Sequence, residues 1–192
     1  SASLKLTTPN VRSNLAMNVT TDREDQEWIH VEHLLRRWLK RAREGQHSHH
    51  QAGKRFRIAN YVLAVPAIVI TTSLGTAAFA TISSEAGSTA KAWFGGLSIL
   101  AAVLVALQTQ FRYLERSEKH KAIGHRYGSV RRRIEAVLAL PRNERGKPDK
   151  VIEEIREKLD VISMDADPVS TRLFKKTVRM IEEDDRNDPT IP

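Results

Sequence analysis

Chemistry in this chain would have to come from histidine or from clustered cations, because its 192 residues include seven His and 31 Lys plus Arg but no Cys. His47, His49 and His50, with His30 and His33 upstream, are residues of the type that ligates transition metals. Their spacing argues against it. His49 and His50 are neighbours on a helix and point apart, so the segment reads as solvated or interfacial, and no metal or cofactor is expected. The run from Gly45 to Lys54 has the superficial look of a phosphate loop, but its glycines are too far apart, no Ser or Thr follows Lys54, and no strand precedes it. No nucleophile, base and orienting group stand together in a known signature, so catalysis is not expected.

The cations are the stronger signal. Sixteen Lys and Arg crowd two flanks, from Arg36 to Arg57 and from Arg112 to Arg133, in a chain with a formal charge of +8. Basic residues beside a membrane span set its orientation and bind lipid headgroups, and that accounts for most of them. The remainder suits a polyanion such as a nucleotide or short oligonucleotide. Arg112, Arg116, Lys119 and Arg126 are the best candidates, since their near-helical steps put pairs of charges on related faces of one rigid helix. Aromatic residues stand among the charges at Trp38, Phe56, Tyr113 and Tyr127, and Tyr127 is the one expected to stack on a base.

The elements that carry these flanks are set by a segregation that the mean hydropathy conceals. No charged residue lies between Ile58 and Ser84, and none between Ala92 and Phe111. Spanning a hydrocarbon core takes on the order of 20 apolar helical residues, and the two runs supply roughly 25 and 20. A buried helix of a soluble core would carry polar residues on one face, and neither run does; the Thr and Ser of the first can bond back to their own helix. The fold expected is all-α: an integral membrane hairpin of two transmembrane helices, residues 58–82 and 92–111, with long cytosolic helical extensions, oligomeric. The loop from Ser83 to Lys91 holds only Glu85 and Lys91, so the basic flanks put both termini in the cytosol.

Around the hairpin (residues 58–111), the expected organisation is a flexible segment at 1–22, a cytosolic amphipathic region at 23–57, a second cytosolic helical region at 112–185 and a tail at 186–192. Trp28, Val31, Leu35, Trp38 and Ala42 form an apolar stripe, with Gly45 interrupting the helix behind it. Ile123, Tyr127, Val130, Ile134 and Val137 form another, so the second span is expected to run unbroken to Pro141, about 45 residues and nearly 70 Å. Two short helices follow, one from Pro148 to Ser163 and one starting at Asp167-Pro168, where Asp would cap and Pro take the first helical position. Within the spans, Asn60, Ala64, Ala67, Thr71, Gly75 and Ala78 share one face and Gly95, Ser98, Ala102, Ala106 and Thr109 another. Such small faces are expected to meet one another or neighbouring subunits. Pro66 should kink or loosen the first span.

The arrangement HHQAGKRFRIAN before the first span, QFRYLERSEKH after the second, and His120 and Tyr127 followed by RRRIEAVL resembles the SLATT family, two-transmembrane effectors associated with bacterial nucleotide-synthesising antiphage systems. The resemblance covers roughly Trp28 to Ile181, and its motifs are mostly pattern and topology. It implies a bacterial inner-membrane effector that forms a pore under control of a nucleotide-derived signal made by a partner nucleotidyltransferase. A single hairpin cannot enclose a water-filled path, so a pore requires a homo-oligomer, a tetramer being favoured with its eight spans. Thr72, Thr76, Gln108 and Gln110 are the candidates to line it, although Gln108 and Gln110 point in different directions and each can equally bond to a neighbouring helix. The alternative is a non-conducting, membrane-anchored scaffold that recruits a cytosolic partner.

Overall fold

The structure, a computed structural model, describes residues 11–81 and 87–187, with side chains for 26–77, 87 and 89–187. Five α-helices and one 3-10 turn make up the described residues, with no strand among them: α1 (Val11–Thr81), α2 (Ser88–Phe111), α3 (Tyr113–Ala139), the turn at Arg142–Glu144, α4 (Pro148–Asp165) and α5 (Thr171–Asn187). Two of the helices are long and apolar enough to cross a membrane. Their apolar stretches are only 11% and 6% buried, so they are not core helices within this chain. Val62, Ile68, Trp93 and Ile99 all stand more than half exposed along them, and need lipid or further protein to cover them.

The chain divides into two compact units. Among the described residues, the first comprises 11–43 and 127–164. Its core is the pair of stripes read from the sequence, Trp28, Val31, Leu35 and Ala42 on α1 against Val130, Ile134 and Val137 on α3, joined by Val151, Ile155 and Ile162 of α4. α4 begins as expected, with Pro148 at the first helical position, where its missing N–H costs nothing. Arg133 grips Glu154 with two hydrogen bonds of 3.1 and 2.8 Å, tying α3 to α4. At the corner after α3, Glu32 accepts from Arg142 at 3.0 and 3.3 Å and from Arg145 at 2.5 Å. These two guanidiniums, Arg142 foremost, hold its carboxyl below the usual range.

Among the described residues, the second unit comprises 44–81, 87–126 and 165–187. α1 and α3 cross at small residues. A Cβ on Gly53 would lie 3.0 Å from the Ser117 carbonyl oxygen, and one on Gly124 would lie 3.1 Å from the His50 ring. Ser117 is fully buried and donates its hydroxyl to the Gly53 carbonyl at 2.8 Å. Further along the hairpin, Asn60 and Ala67 of α1 and Ala101 of α2 are buried, as are Leu173, Thr177 and Ile181 of α5.

Several sequence expectations are corrected here. α1 is not interrupted at Gly45 but runs through it; a glycine inside a helix costs only about 0.5–1 kcal/mol, too little to break one fixed by packing on both sides. The second span does not run unbroken to Pro141, since Arg112 takes a left-handed conformation, φ 46°, and separates α2 from α3. Hydrogen bonding persists across this break, from the Arg112 N–H to Gln108 O and from the Arg116 N–H to Arg112 O. The last helix starts at Thr171 rather than at Asp167, because the Asp167 carboxylate is taken by Lys119 and is not free to cap. Of the two contacts expected for the small-residue face of α2, the one with α1 is not made within the chain: Gly95, Ser98, Ala102, Ala106 and Thr109 are exposed, and the buried position is Ala101, while contact with neighbouring subunits concerns further copies. α2 starts at Ser88, before the expected residue 92, and residues 11–22 are helical. Pro66 lies inside α1, which is helical on both sides of it. Residues 1–10, 82–86 and 188–192, which include the first part of the expected external loop and most of the expected tail, lie outside the described residues.

Candidate functional site

Just beyond the charge-free stretches, the α1–α3 crossing gathers a cluster of rings. His49 and His120 are both buried, and their Nδ1 atoms lie 2.9 Å apart. Phe56 stacks on His120 at 5.3 Å with the planes nearly parallel, Tyr113 sits 6.3 Å from Phe56, and Phe111 sits 5.4 Å from Tyr113. One helical step away, His50 meets His125 edge-on at 5.0 Å. The expectation of a solvated histidine segment is therefore wrong for His49. The crossing is narrow enough, through Gly53, Gly124 and Ser117, to bring the two imidazoles into hydrogen-bond contact.

That contact has a protonation rule built into it. One Nδ1 must donate and the other accept, so at least one ring is neutral. Burial is the largest cause holding His49 down to about 4, with the nearby His120 adding to it, while Asp167 opposes both. Burial also lowers His120, helped by Lys119 and Arg116, and lowers His50. The pair can share one proton. Among the described residues no group of three or more His, Cys, Asp or Glu is placed to hold a metal ion.

A pH dependence follows with a definite sign. In the unfolded chain these histidines bind protons near pH 6.5, whereas folded His49 does so only near 4. Between those values the unfolded state holds more protons, so stability is complete above about 6.5 and falls as the pH drops toward 4. Solvent reaching part of the cluster discounts the effect. Thermal unfolding in detergent should show Tm flat from pH 8 to 7 and lower by a few degrees at pH 5. His49→Asn, whose amide can take the place of Nδ1 but cannot titrate, should flatten that slope; an unchanged slope would locate the titration elsewhere.

The cations proposed from the sequence are placed as follows. Arg112 pairs with Glu115 at 2.5 Å, Lys119 with Asp167 at 2.8 Å and Arg126 with Asp165 at 2.5 Å. Arg116 is exposed and makes no salt bridge among the described residues. A polyanion binding these side chains must therefore displace three carboxylates. All three pairs are solvent-exposed, so each is worth little and can open. Tyr127 belongs to the other compact unit and is half-buried, and burial raises its phenol.

The four candidate pore residues differ in their surroundings. Gln108 donates its amide to Asn60 Oδ1 at 3.3 Å, so it bonds to the neighbouring helix. Thr76 donates its hydroxyl to the Thr72 carbonyl at 2.9 Å, and Thr72, Thr76 and Gln110 are exposed. The histidine pair and the Asn60–Gln108 pair are what sequence reading missed. No protein-family model, curated protein or solved structure matches the chain.

Proposed function

We propose that this chain is a bacterial inner-membrane effector of antiphage defence that assembles as a homo-oligomer, a tetramer in the favoured form, and conducts ions. Both termini are cytosolic, and the controlling signal is a nucleotide or oligonucleotide made by a partner nucleotidyltransferase and bound on the basic side. The observation that carries this reading is the face of α2 formed by Gly95, Ser98, Ala102, Ala106 and Thr109, which is exposed although its residue types suit close helix contact. Copies meeting through that face bury it and enclose a path that one hairpin cannot. Thr72, Thr76 and Gln110 are the polar groups left to line such a path, since Gln108 is held by Asn60. The resemblance to SLATT effectors points the same way. In this reading the signal works by competing with Glu115, Asp165 and Asp167 for Arg112, Lys119 and Arg126.

A non-conducting scaffold is the second reading, and it is favoured by exposed Val161 and Met164 on α4, apolar side chains suited to a cytosolic partner. Reconstitution separates the two. The purified chain in planar bilayers should give discrete conductance steps, and its mass in mild detergent should correspond to at least four copies. A monomer that stays silent with and without cyclic oligonucleotides would remove the pore.

A further inference from the structure

An open groove of about 630 Å³ lies at the break between α2 and α3, with Asn60 of α1 also lining it. Arg112 at its edge is the one non-glycine residue with positive φ among those described. A left-handed conformation costs an L-residue with a side chain roughly 1–2 kcal/mol, and observed strain of this kind concentrates at ligand clamps and switches. Arg112 immediately follows the charge-free stretch 92–111, so in a spanning hairpin it stands at headgroup depth.

The groove combines apolar, neutral polar and charged side chains, Asn60, Gln108 and Thr109 among the polar ones. Val105 and Leu114 are apolar, while Arg112, Glu115 and Glu118 bring one guanidinium and two carboxylates to the same opening. We propose that this groove is a binding site for a phospholipid whose headgroup carries both a phosphate and a primary ammonium, namely phosphatidylethanolamine. The guanidinium donates two parallel hydrogen bonds to the phosphate, and the ammonium donates to Glu115 and Glu118. The acyl chain lies against Val105 and Leu114. An anionic glycerol headgroup has no ammonium to offer Glu115 and Glu118, and a choline headgroup has no N–H to donate, so the headgroup's donors select between lipids. The internal pairs Arg112–Glu115 and Glu118–Lys121, each 2.5 Å, are exposed and weak enough to open for the ligand. The inference shares with the proposed function the reading of α2 as a span and the Arg112–Glu115 pair, for which lipid and nucleotide would compete; it needs neither a pore nor a nucleotide.

The test uses the full chain in a mild uncharged detergent with phosphatidylethanolamine, phosphatidylcholine and phosphatidylglycerol of identical acyl chains. Native mass spectrometry should show the first retained about five-fold over each of the others, and it alone should raise Tm. Arg112→Gly should abolish the preference while leaving the lipid-free Tm unchanged or higher, because glycine takes a positive φ without strain. If Arg112→Gly fails to fold, the double change Glu115→Gln and Glu118→Gln serves instead, and should move the preference to phosphatidylglycerol. Equal retention of all three lipids by the wild type, or a preference that survives Arg112→Gly or the double change, overturns the proposal and leaves the membrane reading standing. A chain that stays monodisperse in buffer without detergent overturns both.

Discussion

Valine in place of Gly53 is expected to remove the fold of the hairpin unit. The Cβ alone would lie 3.0 Å from the Ser117 carbonyl oxygen and 3.2 Å from Lys121 Cγ, and the first of these is backbone that cannot rotate away. Two further methyl groups have to displace α3 from α1, which breaks the 2.8 Å bond from Ser117 to the Gly53 carbonyl and strands a fully buried hydroxyl. Overpacking of this kind and the stranded group together cost about 3–5 kcal/mol, a large part of the 5–15 kcal/mol that holds a typical domain together. Separation at this level also pulls His49 from His120. Circular dichroism melting in detergent should show a loss of most of the cooperative transition. Gly75→Val is the matched control, since nothing lies within 4 Å of a Cβ there and its Tm should stay near wild type. Equal Tm values for both variants would mean the close crossing is not what holds this unit together.

Replacing Arg145 with alanine should be the most damaging change in the first unit, although the residue sits in a short connection. Its guanidinium is 9% exposed and serves four purposes at once. It bonds Glu32 at 2.5 Å, lies 5.3 Å over the Trp28 ring, and donates to the carbonyls of Leu140 at 2.7 Å and Leu138 at 3.1 Å. Those carbonyls close the end of α3, where helical oxygens have no partner of their own. Truncation leaves them and the Glu32 carboxylate underbonded, and costs about 2–4 kcal/mol. Arg156 makes two ion pairs, to Glu153 and Asp160, where Arg145 makes one, but in the open along one helix. Arg156→Ala should leave Tm unchanged, because exposed pairs are screened and pay side-chain entropy to form. If the two alanine variants melt alike, burial is not what gives Arg145 its weight.

The long apolar stretches and the helical seams were legible in the sequence because each is a local property. An uncharged run long enough to span, or apolar residues recurring at three and four, depends only on neighbours within a few turns. So the all-helical class, the apolar stretches of α1 and α2, the stripes through Leu35 and Ile134, and the start of α4 at Pro148 follow from composition and period. Partner choice does not. His49 meets His120 across 71 residues, Lys119 meets Asp167 and Gln108 meets Asn60 across 48, and Arg126 meets Asp165 across 39. Periodicity says which face a residue occupies but leaves the rotation and sliding of one helix on another undetermined, and a shift of one turn would give each of these groups a different neighbour. The turn at Arg112 escaped for another reason, since the left-handed position at a helix end is the ordinary place of glycine or asparagine and an arginine there carries no compositional mark. What the tertiary structure alone decided is therefore the chemistry of this chain: which imidazole shares a proton, which cations are already neutralised, and where the hairpin opens a groove beside its own charges.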